Sequence, residues 1–161
     1  MIPSPVVYLA GEIHTPWREE VLAKLTAAGG GVTLVAPVTD HDASDACGTR
    51  IFGEQGSRFW DDQVGAGVNA VRTRTLLERS DVVLVRFAAA FGEWNGALDA
   101  GRALALGKPL ITIHPPELDH ALKEVDRAAL AVCRNPSQVA AVLRYAFAEI
   151  TVTRDQGLVH R

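Results

Sequence analysis

Short apolar runs alternate along the chain with longer stretches in which apolar residues recur at helical spacing. The short runs are rich in β-branched residues and too short for typical helices, which indicates strands buried on both faces. The predicted strands are residues 6–10, 32–36, 82–87, 110–113 and 128–133. For the last of these a helix is the competing assignment, because a short apolar run fits both structures.

Helical spacing fills the intervals between the predicted strands. Thr15 and Pro16 are typical of a helix start, because a hydroxyl side chain caps free amides and proline suits the first helical position. The predicted helices are residues 16–28, 67–79, 96–106, a short helix at about 118–125, and 136–150. The apolar spacing rests on Trp17, Val21, Leu25 and Ala28 in the first, Val68, Val71, Thr75 and Leu76 in the second, and Ala97, Ala100 and Leu104 in the third.

Residues 37–65 show no sustained period. A loop of this length inside a compact domain is unusual and is often functional. The segment is therefore predicted to be a long loop, with a short helix at 53–62 as the alternative.

Strands that alternate with helices predict a parallel sheet with right-handed crossovers and helices on both faces. The expected fold is α/β, a doubly wound parallel five-stranded sheet of flavodoxin-like layout. A length of 161 residues with 48% hydrophobic content fits one domain. We expect a single α/β domain at residues 1–150 and a C-terminal tail at 151–161.

Composition excludes several classes of partner. The net charge of −3 gives no basic surface for nucleic acid, and no apolar run approaches the 18 or so residues of a membrane span. Cys47 and Cys133 lack a neighbour at metal or redox spacing, which favours a reducing, cytoplasmic compartment. A phosphate-binding loop, a dinucleotide-binding glycine pattern and a serine nucleophile elbow are all absent from the sequence.

Polar residues follow each of the first four predicted strands, at the edge of the sheet where ligands bind in folds of this kind. They are Tyr8, Gly11, Glu12 and His14; Asp40, His41 and Asp42; Arg86, Glu93, Trp94, Asn95 and Asp99; and His114. Such a set suits a ligand with a planar ring and several hydroxyls or a phosphate. The run Asp40 to Cys47 also contains metal-ligating residue types, but without a recognised spacing, so we expect no metal and no cofactor.

Two of these residues have competing interpretations. Asp99 falls near the second turn of a helix of small residues, where a solvated acid near the helix start is the simple alternative to a functional carboxylate. Arg86 is predicted either to hold a phosphate or to form an ion pair with Glu93 or Asp99.

Five segments of the chain carry a recognisable pattern. They are VVYLAGEIHTPWREE, APVTDH, NAVRTRTLLERSDVVLVRF, WNGALDAGRALALGKPLI and HALKEVDRAALAV, within residues 6 to about 147. Together they resemble the YtoQ family, which is grouped with nucleoside 2-deoxyribosyltransferases. The resemblance implies a carboxylate nucleophile at Asp99, where the transferases carry glutamate, a leading acid at Glu93, and an orienting tyrosine at Tyr8. It also implies a homo-oligomer.

The resemblance implies a nucleoside or nucleotide N-glycosidase or 2-deoxyribosyltransferase that acts at the anomeric carbon. Glu93 or Asp40 is then the hydrogen-bonding or acid–base partner. His41 or His14 protonates the departing base, since the unperturbed pKa of a histidine, about 6.5, suits proton transfer. The substrate-binding set is predicted to be Gly11, Glu12, His14, Asp40, His41, Arg86, Trp94 and Asn95. Two alternatives stay open: a non-catalytic module that binds a nucleotide or nucleotide derivative, and a structural subunit with a vestigial pocket.

Overall fold

The computed structural model describes residues 4–27, 31–90 and 94–148. Five strands in these ranges form one sheet in the order β2-β1-β3-β4-β5, and its four pairings are parallel. The strands are β1 (Val6–Gly11), β2 (Thr33–Val35), β3 (Val82–Arg86), β4 (Leu110–Ile113) and β5 (Ala131–Cys133). The predicted α/β fold with a five-stranded parallel sheet is confirmed.

Helices cover both faces of this sheet. They are α1 (Trp17–Ala27), α2 (His41–Asp45), α3 (Cys47–Phe52), α4 (Arg58–Arg79), α5 (Trp94–Ala105), α6 (Lys123–Ala128) and α7 (Pro136–Phe147), with a 3₁₀ turn (Pro116–Leu118) before α6. None of the described helices combines the length and the apolar character needed to cross a membrane.

Side-chain alternation along β1 separates two hydrophobic cores, because successive residues of a strand point to opposite faces. Val7 and Leu9 lie in the core that α1 and α7 cover, whereas Tyr8 lies in the core beneath α4 and α5. Of the predicted inward residues of α1, Trp17, Val21 and Leu25 are confirmed as buried. Tyr8 therefore lies beneath the two helices that, as shown below, form much of the candidate site.

Residues 37–65 are not a structureless loop, so that prediction was wrong. Asp40 caps α2 by accepting a hydrogen bond from the Ala43 amide at 2.7 Å. The helix α3 packs on α4 so closely that a Cβ atom on Gly48 would lie 2.3 Å from the Gly65 nitrogen. Small and polar residues make these contacts, and that is why the segment lacks an apolar period.

The second predicted helix is longer than expected and turned differently. It begins at Arg58, which agrees only in part with the alternative helix at 53–62, and its buried residues are Gly65, Thr73 and Leu77. Val71, predicted on the apolar face, is 69% exposed. The prediction followed the apolar residues, whereas the helix buries a glycine and a threonine against its neighbours.

Other bounds also moved. In α5 the buried residues are Gly96, Asp99, Ala100 and Ala103, while Ala97 and Leu104 are exposed. The strand predicted at 128–133 is limited to its last three residues, because α6 continues to Ala128. Ala28 of the first predicted helix, residues 149–150 of the last predicted helix and the tail at 151–161 lie outside the described residues.

Candidate functional site

A cavity of about 580 Å³ lies beyond the carboxyl end of β1. Its walls come from the residues after β1 and β2, from α2, from the first half and middle of α4, and from the first turns of α5. The strand order reverses between β1 and β3, and ligands bind at such a reversal in open parallel sheets. The volume falls within the range of about 300–1,000 Å³ that small-molecule sites occupy.

A second hollow, of about 480 Å³, lies on the outward side of α4. Its lining is Val68, Val71, Arg72, Thr75, Leu76 and Arg79, without a carboxylate or histidine. The chemistry predicted from the sequence belongs instead to the cavity beside β1.

The structure brings six of the predicted site residues to the wall of this cavity. They are Gly11, His14, His41, Trp94, Asn95 and Asp99. Tyr8, Glu12, Asp40 and Arg86 do not line it. Glu93 lies outside the described residues, so its predicted role is carried no further by the structure.

Asp99 reaches the cavity because α5 begins very close to the end of β1. A Cβ atom on Gly96 would lie 3.4 Å from the Gly11 Cα, so a larger residue there would push the helix away. Asp99, one turn later, is only 8% exposed. Asp99 is therefore not a solvated acid.

Opposing effects act on the Asp99 carboxylate. Burial raises its pKa above the usual value of 3.8, and burial is the dominant effect. Arg102, whose Nη1 lies 3.4 Å from Oδ1, lowers the pKa, and so does the Tyr8 hydroxyl. The carboxylate is thus less well stabilised in its charged form than an exposed one.

Tyr8 is fully buried behind Asp99. Burial and, secondly, the negative charge of Asp99 raise the pKa of Tyr8 to about 12, with Thr73 among the groups that oppose the rise. Its hydroxyl lies close enough to influence Asp99, yet no group in the described ranges completes a hydrogen bond with it. A buried hydroxyl without a complete bond costs stability, and such groups call for an explanation.

Glu12 is buried but is held quite differently. Its carboxylate accepts hydrogen bonds from the amides of His14 and Thr15, from the Thr15 hydroxyl at 2.7 Å, and from Arg86 Nε at 3.1 Å. These donors occupy both oxygens and fix the chain after β1. Arg86 is thus paired with Glu12, and the predicted pairing with Glu93 or Asp99 is not the one that the structure gives.

The backbone beside Glu12 is equally tight. Gly11 has φ +93°, and a Cβ atom there would lie 2.0 Å from the Arg86 carbonyl oxygen. The Glu12 amide donates to that oxygen at 3.1 Å. Gly11 thus lets β1 and β3 stay paired up to the edge of the cavity.

On the other wall, α2 presents a histidine and an acid. His41 Nδ1 lies 3.4 Å from Asp45 Oδ2, and both residues line the cavity. Asp40 is used as the cap of α2 and lies at the surface. Within the described ranges, no three His, Cys, Asp or Glu side chains converge as metal ligands.

Sequence reasoning missed several lining residues. They are Ile13, Pro37, Val38, Ser44, Asp45, Asp62, Gly65, Ala66, Asn69, Ala70, Arg72, Thr73, Leu98 and Arg102. The spacing of Asn69, Thr73 and Leu77 puts two polar residues on the buried side of one helix, and this was the available signal. Arg102 follows Asp99 by one turn, a spacing that also predicts contact.

Comparison with known proteins identifies a family model and a relative that match most of the chain. A family model described as Nucleoside 2-deoxyribosyltransferase YtoQ matches residues 8–147. The "Uncharacterized protein YtoQ" of Bacillus subtilis (strain 168) is 39% identical over 142 residues, which cover 88% of this chain and 96% of that protein.

Two solved structures share the fold. One is a 2-deoxyribosyltransferase from the psychrotolerant bacterium Bacillus psychrosaccharolyticus, with a TM-score of 0.55 and 16% sequence identity. The match covers 86% of this chain and 95% of the transferase chain. A conserved protein from Enterococcus faecalis V583 has a TM-score of 0.59 at 11% identity and covers 89% and 99%. At these identities the likeness concerns the fold alone.

Proposed function

The chain belongs to the YtoQ nucleoside 2-deoxyribosyltransferase family, and from this premise we propose that it cleaves the N-glycosidic bond of a nucleoside or nucleotide through Asp99. The sugar is then passed to a second base or to water. The observation that carries the proposal is the buried Asp99 carboxylate at the cavity wall, with the Tyr8 hydroxyl behind it.

The position of Asp99 suits a nucleophile. A carboxylate that is partly desolvated, and that has no complete set of donors, is more reactive than one that is fully hydrogen-bonded. Tyr8 lowers the pKa of Asp99 and so favours its ionised form. Tyr8 is also proposed as the residue that orients the nucleophile.

The reaction is a double displacement. A carboxylate oxygen of Asp99 forms a bond to the anomeric carbon, while the bond from that carbon to the base nitrogen breaks and its electron pair leaves with the base. The leaving base takes up a proton. A second base or a water molecule then attacks the same carbon, loses its proton and releases Asp99, so the configuration at the anomeric carbon is retained.

His14 and His41 are the proposed proton donors for the leaving base. Both line the cavity with Asp99, and histidine changes charge near neutral pH. The contact between Asp45 and Nδ1 of His41 orients that ring. Asp40 caps α2 and does not line the cavity, so the proposal gives it no contact with the substrate.

One observation favours a second candidate function, that of a non-catalytic module for a nucleotide or nucleotide derivative. The ion pair between Arg102 and Asp99 engages the carboxylate that would have to attack the sugar. In a binding module this pair would contact the ligand without any bond being broken.

The proposal includes assembly and location. Large apolar side chains are exposed together at the end of α3 and the start of α4, at Ile51, Phe52, Phe59 and Trp60. Exposed apolar patches of this kind mark interaction sites, which supports the homo-oligomer implied by the family. Both described cysteines are free thiols, which supports a cytoplasmic location.

The test measures free base released from a panel of ribonucleosides, 2′-deoxynucleosides and their 5′-monophosphates. Wild type is compared with Asp99→Ala and with Asp42→Ala, a matched control because Asp42 is exposed and lies outside the cavity lining. We expect release by wild type and Asp42→Ala only. Intact-protein mass after brief reaction should show one added sugar on wild type and none on Asp99→Ala.

Two results would contradict the proposal, the first its catalysis and the second its nucleophile. Stabilisation of the fold by a nucleotide without any base release, even on long incubation, would leave the binding module as the better account. Undiminished release by Asp99→Ala would exclude Asp99 as the nucleophile.

A further inference from the structure

Two arginines line the cavity, and only one of them has a negatively charged partner. Arg102 is paired with Asp99 at 3.4 Å. Arg72 instead donates from Nη2 to the Ala36 carbonyl at 3.1 Å, a partner without charge. Within the described ranges, no carboxylate lies within ion-pair distance of Arg72.

The carboxylates that line the cavity already have partners. Asp45 lies beside His41, Asp99 beside Arg102, and Asp62 is 4.0 Å from Arg58 at the surface. None of the three is paired with Arg72. The guanidinium of Arg72 is thus a cation of the cavity wall whose charge the described side chains leave unmatched.

The Ala36 bond ties the exposed Arg72 side chain of α4 to the chain just after β2. Arg72 lines the cavity and also the hollow on the outward side of α4. The charge is felt at the reacting centre as well. Burial and Asp99 raise the pKa of Tyr8, and Arg72 is among the groups that lower it.

The position corrects the expectation for Arg86. Arg86 was the residue predicted to hold a phosphate, but Glu12 pairs with it at 3.1 Å beneath the cavity. A guanidinium binds phosphate best when no carboxylate already neutralises its charge. Arg86 is paired with Glu12 and does not line the cavity, whereas Arg72 lines it and donates to an uncharged carbonyl.

We propose that Arg72 forms an anion subsite of the cavity for a phosphate monoester carried on the substrate's sugar. The substrate class is then nucleoside 5′-monophosphates rather than free nucleosides. This inference rests on the proposed function for its reaction, but it concerns recognition and is tested by affinity as well as by base release.

The test compares each 2′-deoxynucleoside with its 5′-monophosphate, by calorimetric affinity and by base release. The variants are Arg72→Gln, Arg72→Lys and, as a matched control on the same helix, Arg79→Gln, which does not line the cavity. Wild type and Arg79→Gln should bind the monophosphate about tenfold or more tightly than the nucleoside, since charge-assisted bonds to phosphate are strong.

Arg72→Gln should abolish this preference without changing the affinity for the nucleoside. Arg72→Lys keeps the charge but loses the planar fork, so it should retain part of the preference. Melting temperatures of the unliganded variants show whether the fold is damaged. Partial preference for the monophosphate in Arg72→Lys would separately show that the positive charge itself matters.

Three outcomes would overturn the subsite. Equal affinity of wild type for both members of each pair, together with base release from nucleosides, would remove the subsite and leave the proposed function intact. Nucleoside turnover that requires added inorganic phosphate would show that the anion is the acceptor and not part of the substrate. Failure to bind either compound would remove the subsite and the proposed function together.

Discussion

Glu12 and Asp99 are two buried acids at the same edge of the sheet, and they are treated in opposite ways. Glu12 is 1% exposed and accepts from backbone amides, a hydroxyl and an arginine. Asp99 is 8% exposed and has one arginine at 3.4 Å and a hydroxyl that falls short of a full bond.

The difference is the one expected between an acid that holds the chain in place and the proposed nucleophile. A buried carboxylate whose oxygens are all occupied stabilises the fold and offers no lone pair to a substrate. A buried carboxylate with incomplete partners costs stability but faces the cavity ready to react. If burial alone were the criterion, Glu12 would be the better candidate for the nucleophile. The number of hydrogen-bond donors around each carboxylate favours Asp99 instead.

The largest effect should come from Asp99→Asn. The amide keeps the size of the side chain but is a poor nucleophile, so base release should fall by about 10³-fold or more. Affinity for substrate should change far less, as measured by calorimetry with the same compound. A fall in release of less than tenfold would remove the contrast with Glu12.

The next largest effect is on stability, from Glu12→Gln. Loss of the negative charge leaves the half-buried Arg86 without its charged partner, which should lower the free energy of unfolding by about 3 kcal/mol. Denaturant unfolding measures this, with the exposed Glu19→Gln as a control expected to stay within about 0.5 kcal/mol. Unchanged stability would mean that the Glu12 bonds are replaced at little cost.

Tyr8→Phe should separate activity from stability. Removal of a hydroxyl without a complete hydrogen bond should leave the free energy of unfolding equal or higher. Base release should nevertheless fall, by up to about 100-fold, because Asp99 is less well oriented. The exposed Tyr145→Phe is the control and should change neither quantity.

The same variant should shift the acidic limb of the pH–rate profile. Tyr8 lowers the pKa of Asp99, so without it that pKa rises further and more alkaline solution is needed to ionise the nucleophile. The limb of wild type should already lie above pH 3.8, because burial raises the pKa. A limb that is unmoved in Tyr8→Phe would exclude this coupling.

The smallest effect concerns stability against pH. A carboxyl whose pKa is raised in the folded state adds stability below its unfolded pKa and loses it as pH rises through the folded value. Asp99→Asn should therefore be stabilised relative to wild type more at pH 7 than at pH 3. Unfolding free energies of both proteins across this interval measure the difference, and an opposite trend would contradict a raised pKa of Asp99.

The sequence was a good guide to the sheet, because apolar β-branched runs report burial directly. It was a poor guide to residues 37–65, where α2 and α3 pack through polar side chains and the close contact of Gly48 with Gly65. No apolar period exists in such a segment, so pattern reading finds only a loop.

The site shows the same limit. Asp99, Tyr8 and His41 could be selected from residue type and family pattern, and the structure brings them together around one cavity or just behind it. The pairing of Arg86 with Glu12 joins β3 to the chain after β1, seventy-four positions apart. Local spacing carries no record of such a contact, so the sequence could not show that Arg86 is paired with Glu12.

The helix α4 has a consequence for how such chains can vary. Its 22 residues form one rod of about 33 Å, which carries Gly65 against α3, Arg72 and Thr73 at the cavity, and Leu77 in the core. One residue inserted between Gly65 and Thr73 would turn one half of the rod by about 100° against the other. Among related chains, insertions should therefore occur just before Arg58, where the chain is outside helices, and not within α4. The segment of constant length would then mark the helix that forms this wall of the cavity.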